Sequence, residues 1–264
     1  MTSAHPTACS PAPQGNFFAA LRAAFPADLD ATAIRCEDSS GPPHYSWRDV
    51  EGASAKLANL LASLELPAGS RIAVQLSASA EALLLYLAVL RAGHVYVPDV
   101  ALGGNDETAT LSRIIQQEQV AVVVCAGAHF GQISKLAFLA GARYVFTLNE
   151  DRSGSLLDRA AQMSDQHEVA HRAADDLAAI IHTSSGIRRL SHADLMGRTP
   201  GLPNSACPRC GQPFQCGAAQ GRCDCFELKL DAALQTRLSQ DFGDCLCLRC
   251  LRELQAASGR ISPA

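Results

Sequence analysis

The chain has 264 residues, is 48% hydrophobic and carries a formal net charge of -4, with a mean hydropathy of +0.05. Such a chain can bury a sizeable core, in one large domain or two smaller ones. Its mild acidity excludes a global pull towards nucleic acid or an anionic membrane, and its longest aliphatic run, residues 82–90, is far shorter than the ~20 residues that span a bilayer.

Residues 1–15 contain Pro6, Pro11 and Pro13 and no apolar core, so they read as a disordered N-terminus and not as a signal peptide. Asn16 to Ala24 reads as a short helix ended by Pro26. Ala31–Cys36 and His44–Ser46 read as strands on either side of the Gly41-Pro42-Pro43 turn. Ser46 is a good N-cap for a long helix, Trp47–Leu64, whose apolar stripe is Val50, Ala53, Leu57, Leu60, Leu61 and Leu64. Ile72, Val74 and Leu76 alternate as a strand. Ala80–Arg91 is apolar nearly all round, which predicts a deeply buried helix stopped by Gly93.

Val95–Val97 follows as a short strand, and Asp106–Gln117 as a more polar helix. Val120–Val124 is a continuous apolar run, expected of a strand covered on both faces. Leu136–Ala140 reads as helical, Tyr144–Leu148 as a strand and Ser155–Met163 as a helix. Leu177–Ile181 is a further strand, ending at His182-Thr183-Ser184-Ser185-Gly186. Strands alternating with helices predict an α/β fold with a parallel-leaning sheet covered on both faces. Ligands of such sheets sit beyond the carboxyl ends of the strands, which directs attention to the turn after His182.

Phe17 to Leu195 resembles the N-terminal part of the adenylate-forming acid–CoA ligases, most nearly the malonyl-CoA synthetase group. The resemblance is carried by Phe18–Phe25, Tyr45-Ser-Trp-Arg-Asp49, Ala55–Leu64, Ala82–Pro98 with its Leu90-Arg-Ala-Gly93 turn, Ala174–Ser184 and Leu190-Ser-His192. It implies descent from enzymes that use ATP and magnesium to make an acyl-adenylate and then transfer the acyl group to coenzyme A. In that family the strand corresponding to Leu177–His182 runs into a T-S-G-[ST]-T-G-x-[PS]-K-G loop. Its glycines let backbone N–H groups close around phosphates, and its lysine adds charge.

This chain keeps Thr183 and Ser184 as a remnant of that loop and passes through Ser185-Gly186-Ile187-Arg188-Arg189 directly to Leu190. About five residues, the second glycine and the lysine are missing from the motif. The expectation is an inert turn with two solvated arginines. The resemblance ends near residue 197, before the acid pocket, adenine site and catalytic lid of the family, so no residue is assigned a catalytic role. His182 and His192 flank the turn with no carboxylate placed beside them by the sequence, and Asp175 and Asp176 read as a solvated turn. The incomplete sheet is expected to expose surface open to self-association or to a protein partner.

Residues 197–206 are rich in turn residues, Gly and Pro foremost, and read as a linker. After it, residues 207–257 hold eight of the eleven cysteines: Cys207, Cys210, Cys216, Cys223, Cys225, Cys245, Cys247 and Cys250. A Cys-x2-Cys turn brings two thiolates to one metal, and eight thiolates would fill two closed, structural zinc sites. One division places Cys207, Cys210, Cys247 and Cys250 on one ion and the other four on a second. A disulfide scaffold, with about 105 connectivities, requires an oxidising compartment. An iron–sulfur cluster takes the same ligand type. Cys9, Cys36 and Cys125 are scattered and read as incidental.

The module's cysteine pattern resembles the small bacterial family of cysteine-rich CWC proteins, with Asp224 where the family has the tryptophan of its Cys-Trp-Cys triplet. Leu230, Ala233, Leu234 and Leu238 form a helical stripe, Leu248–Ala257 reads as a closing helix and residues 258–264 as a tail. From Gly201 to Ala264 there are seven Lys or Arg against six Asp or Glu, so nothing favours nucleic acid. The reading is a cytoplasmic, zinc-binding cysteine module behind an inactive ligase-type sheet domain at residues 16–196. The competing reading is an ATP-dependent malonate–CoA ligase, using ATP, magnesium and coenzyme A, or a subunit that a partner completes.

Overall fold

The structure is a computed structural model and describes residues 15–35, 44–98, 107–183, 186–199, 205–216, 225, 228 and 230–258. The expected disordered segment 1–15 lies outside these residues except for Gly15, which is buried and donates its N–H to the Arg172 carbonyl at 2.9 Å. Helix α1, Phe17–Ala23, is capped by Asn16, whose side chain accepts from the Phe18 N–H at 2.8 Å. The same amide donates to the carbonyls of Leu90 and Ala170, both at 2.9 Å, and so ties α1 to the middle of the domain.

Strands β1 (Thr32–Arg35) and β2 (His44–Ser46) form an antiparallel pair. Helix α2, Trp47–Ala62, begins at a full capping box between Ser46 and Asp49. Its apolar stripe packs against α3, Ala80–Arg91, which is capped by the Ser79 side chain and ends before Gly93 at φ +75°.

The central sheet holds β3 (Arg71–Gln75), β4 (Val95–Pro98), β5 (Val120–Cys125), β6 (Tyr144–Thr147), β7 (Leu177–Thr183) and β8 (Gly186–Ser191). Their order is β6-β5-β3-β4-β7-β8, parallel throughout except for β8. On one face Ile72, Val74, Val122 and Val124 pack with α2, α3 and α6 (Ser155–Ala160). On the other, Ala73, Val97, Val123 and Ile180 pack against Leu111, Ile114 and Ile115 of α4 (Glu107–Glu118) and Ile133 and Ala137 of α5 (Phe130–Leu139). Central β3 therefore buries Ile72, Ala73 and Val74 consecutively, where alternation was expected. Helix α5 starts six residues before its expected Leu136, because Ile133 and Ala137 seal the sheet while Phe138 and Leu139 face outward.

Helix α7, His192–Arg198, opens on a second capping box, Ser191 with Asp194, and takes Gly197 and Arg198 out of the expected linker. In the cysteine module β9 (Ser205–Ala206) pairs antiparallel with β10 (Pro213–Phe214). Helices α8 (Ala232–Asp241) and α9 (Leu248–Ser258) follow, the first capped by Asp231. A small core of Cys207, Leu246, Cys247, Cys250 and Leu251 forms at the start of α9, with Phe214, Leu230, Leu238 and Phe242 packed around it. Among the described residues no helix is long and apolar enough to cross a membrane.

Candidate metal centre and the shortened hairpin

Cys207 and Cys210 lie on a tight knuckle. The Gly211 N–H donates to the Cys207 carbonyl at 2.8 Å, the Cys207 N–H donates to the Gln212 carbonyl at 3.0 Å, and Gly211 sits at φ +70°, which a glycine adopts without strain. Cys247 precedes α9 and Cys250 lies in its first turn, so the second pair is presented by a helix start. The knuckle and the helix bring all four Sγ atoms within 4.8 Å of one another, three of the residues buried and Cys210 half-buried. Cys210 and Cys247 Sγ are 3.8 Å apart. That is too long for a disulfide of about 2.05 Å. It equals the sulfur–sulfur edge of a tetrahedron with ligands at about 2.3 Å.

The thiols are not equivalent. Burial works against a Cys207 thiolate, but backbone donors from Cys247, Cys210 and Arg209 outweigh it and hold the group down to about 6. Cys250 moves the other way, pushed up to about 12 first by burial and then by its neighbouring thiols. Four thiols in contact can carry one charge well and further charges only against mutual repulsion. A divalent cation removes that repulsion, so the donor set fits a thiophilic metal. Arg209 lies between the two knuckle cysteines and donates to Glu253 of α9 at 2.6 Å, closing the knuckle onto the helix.

Cys216, Cys225 and Cys245 form no comparable cluster among the described residues, and Cys223 lies outside them. Cys9 and Cys36 also lie outside them. Cys125 is fully buried in β5 and its thiol is pushed up to about 11 by burial.

At the other candidate site, the structure corrects the expectation that both arginines are held by solvent alone. β7 folds straight back into β8, with Thr183 paired to Gly186, so only two residues separate the paired positions. The Thr183 hydroxyl donates to the Gly186 carbonyl at 2.8 Å. Ser184 lies outside the described residues. Arg188 and Arg189 are both exposed, but Arg189 has a fixed partner: its Nη2 donates to both carboxylate oxygens of Glu118 at 2.9 Å. Glu118 is buried, and its Oε1 lies 3.6 Å from His182 Nε2.

A carboxylate therefore does stand beside His182. It was invisible in the sequence, because a lone glutamate at a helix end normally faces water and only the packing of α4 on the sheet turns it inward. Burial, with the nearby arginines, holds the His182 pKa below its ordinary value. His192 is fully buried at the start of α7. It accepts the Phe17 N–H on Nδ1 at 3.0 Å and is brought down to about 4 by burial and then by Arg172. The acceptor role makes it a joint between α1 and α7. Asp176 accepts the Ala173 N–H and pairs with Arg172 at 3.0 Å, so it closes a turn.

Residues 22–185 match the sequence model of the AMP-binding enzyme family, and residues 207–252 that of the Cysteine-rich CWC family. The first match takes in more than half of the chain, and the chain belongs to the AMP-binding enzyme family. Within it, apo MatB from Rhodopseudomonas palustris, a malonyl-CoA synthetase, is 36% identical with a TM-score of 0.62 over 69% of this chain and 35% of that one. The ATP-bound form of MatB is 35% identical with a TM-score of 0.61, over 68% of this chain and 35% of that one. An acyl-CoA synthetase from Brucella canis, 18% identical with a TM-score of 0.60 over 70% of this chain and 35% of that one, shares the fold. The chain thus spans about a third of the length of these relatives. No curated protein sequence matches it.

Proposed function

We propose that the chain is a zinc-binding protein whose ligase-type sheet domain does not itself join an acid to coenzyme A. The observation that carries the reading is the quartet Cys207, Cys210, Cys247 and Cys250, all four sulfurs within 4.8 Å. Bound there, a zinc ion would be held by four thiolates with no open position, and would supply folding energy and no chemistry. Cys216, Cys223, Cys225 and Cys245 are the ligands of a second ion. Thiolate ligands of this kind require a reducing compartment, which is the basis for placing the protein in the cytoplasm.

Against ligase activity stands the β7–β8 hairpin. A phosphate cradle needs successive backbone N–H groups turned to one point. Here the Thr183 side chain is spent on Gly186, and Arg189 is committed to Glu118. Exposed Phe138, Leu139 and Ile187 on the sheet domain suit self-association or a protein partner.

The test has two arms. Native mass spectrometry with thiol counting should find two zinc ions and no disulfide. Cys207→Ser and Cys223→Ser should each remove one ion. Iron, or a metal-free module with disulfides, would overturn the zinc assignment. In the second arm, protein with ATP, magnesium, coenzyme A and malonate should release no AMP. Turnover that disappears when Arg188 or Arg189 is changed would establish the ligase reading instead.

A further inference from the structure

The four thiols of the quartet do not meet water equally. Cys207 and Cys250 are each 1% exposed and Cys247 is 9% exposed, whereas Cys210 is half-buried. The two least buried sulfurs are also in contact, Cys210 Sγ lying 3.8 Å from Cys247 Sγ. A disulfide of about 2.05 Å is reached from there by less than about 2 Å of sulfur movement. The two residues stand on different elements, Cys210 on the knuckle and Cys247 just before α9, so a bond between them joins the same two elements that a metal would. The pair of Arg209 and Glu253, at 2.6 Å, holds the knuckle on the helix beside them and needs no metal to do so.

An accessible thiol in contact with a second one is the arrangement in which a peroxide makes a disulfide. We propose that Cys210 and Cys247 are a redox pair, whose oxidation by hydrogen peroxide expels the metal from the quartet; this rests on the metal reading above. The Cys210 thiolate attacks a peroxide oxygen, the O–O bond breaks, and the sulfur becomes a sulfenic acid as hydroxide leaves. The Cys247 thiolate then attacks that sulfur, the S–S bond forms, the S–O bond breaks and a second hydroxide leaves. In sum, two thiolates, one hydrogen peroxide and two protons give one disulfide and two waters. Cys207 and Cys250 are shielded from the oxidant by their burial. They are then the only thiolates left where a closed zinc site needs four, and the ion departs. Exchange with an external dithiol reduces the bond and restores the site.

The test uses the full, zinc-loaded chain, whose metal is counted before any oxidant is added. A chain that holds no metal overturns the metal reading, and this proposal with it. Hydrogen peroxide is then added in slight excess, zinc release is followed with a chromogenic chelator, and cross-links are mapped by proteolysis and mass spectrometry. The expected result is loss of the quartet's ion together with a peptide pair joined through Cys210 and Cys247, lighter by two hydrogens. Dithiothreitol with zinc should reverse both. The other four cysteines are read from their own peptides, and the map of the native chain decides the matter without any variant. Cys210→His keeps four ligands, because imidazole also binds zinc, but cannot form the bond. It should load zinc and keep that ion through the same exposure, whereas Cys207→His retains the pair and should still release it. A zinc count that peroxide leaves unchanged, or bonds confined to Cys207 with Cys210 and Cys247 with Cys250, would overturn the proposal. So would release from Cys210→His as fast as from the native chain.

Discussion

In the six-stranded sheet, Ile72, Val74, Val122 and Val124 are sealed on one face and Ala73, Val123 and Ile180 on the other. In the cysteine module, three of the five residues in the buried cluster are themselves cysteines. The first region is held by burial, at about 1.5–3 kcal/mol for each large aliphatic side chain. The second has too little apolar surface to be held that way, and its centre is a set of groups that repel one another once ionised. Stability in one is spread over dozens of contacts, and in the other it is concentrated at a point.

The largest break in this contrast comes from removing that point. Cys250→Ser, or a strong chelator, is expected to unfold residues 205–258 while the sheet domain keeps its own transition. Structural zinc sites contribute about 10–16 kcal/mol in small modules. Circular dichroism with metal content measures both halves at once, and a single joint transition would contradict the separation. The reverse experiment is Leu85→Ala. Leu85 is fully buried in α3, and its truncation should cost the sheet domain about 2–5 kcal/mol and leave the metal content unaltered.

Acid sharpens the contrast from another side. His94 and His192 are buried and both brought down to about 4, by burial first and Arg172 second. Neutral in the fold and protonated in the unfolded chain below about 6.5, each stabilises the fold above that pH and loses this contribution as pH falls towards 4. Denaturant titrations at pH 7 and pH 5 should differ by about 2 kcal/mol for each histidine. The smallest effect is expected of Ser46→Ala, which removes the α2 cap and should cost about 1 kcal/mol of sheet-domain stability.

Much of this was legible in the sequence where local chemistry decides the outcome. Ser46 before Trp47 gave the α2 start, Gly93 the α3 end, and the two Cys-x2-Cys-type pairs the quartet that meets in space. The outcome was hidden where a distant element decides it. Gly186–Ser191 is short and holds two arginines, and it becomes a strand only because β7 offers an edge to pair with. Glu118 is turned inward by the packing of α4 on the sheet, where Arg189 of that strand meets it. Helix α5 reaches back to Phe130 because Ile133 is needed against the sheet, a demand that no local pattern announces.

The knuckle and the start of α9 meet although Cys210 and Cys247 are 37 positions apart in the chain. Joining them pins both ends of the intervening segment, which is then a closed loop in the polymer sense. The entropy of closing such a loop grows only with the logarithm of its length, so doubling it costs about 0.6 kcal/mol. Chain entropy therefore sets little limit on the length of the stretch between the two cysteine pairs, and its composition is constrained instead by Phe214, Leu230, Leu238 and Phe242, which pack on the core that the pairs close.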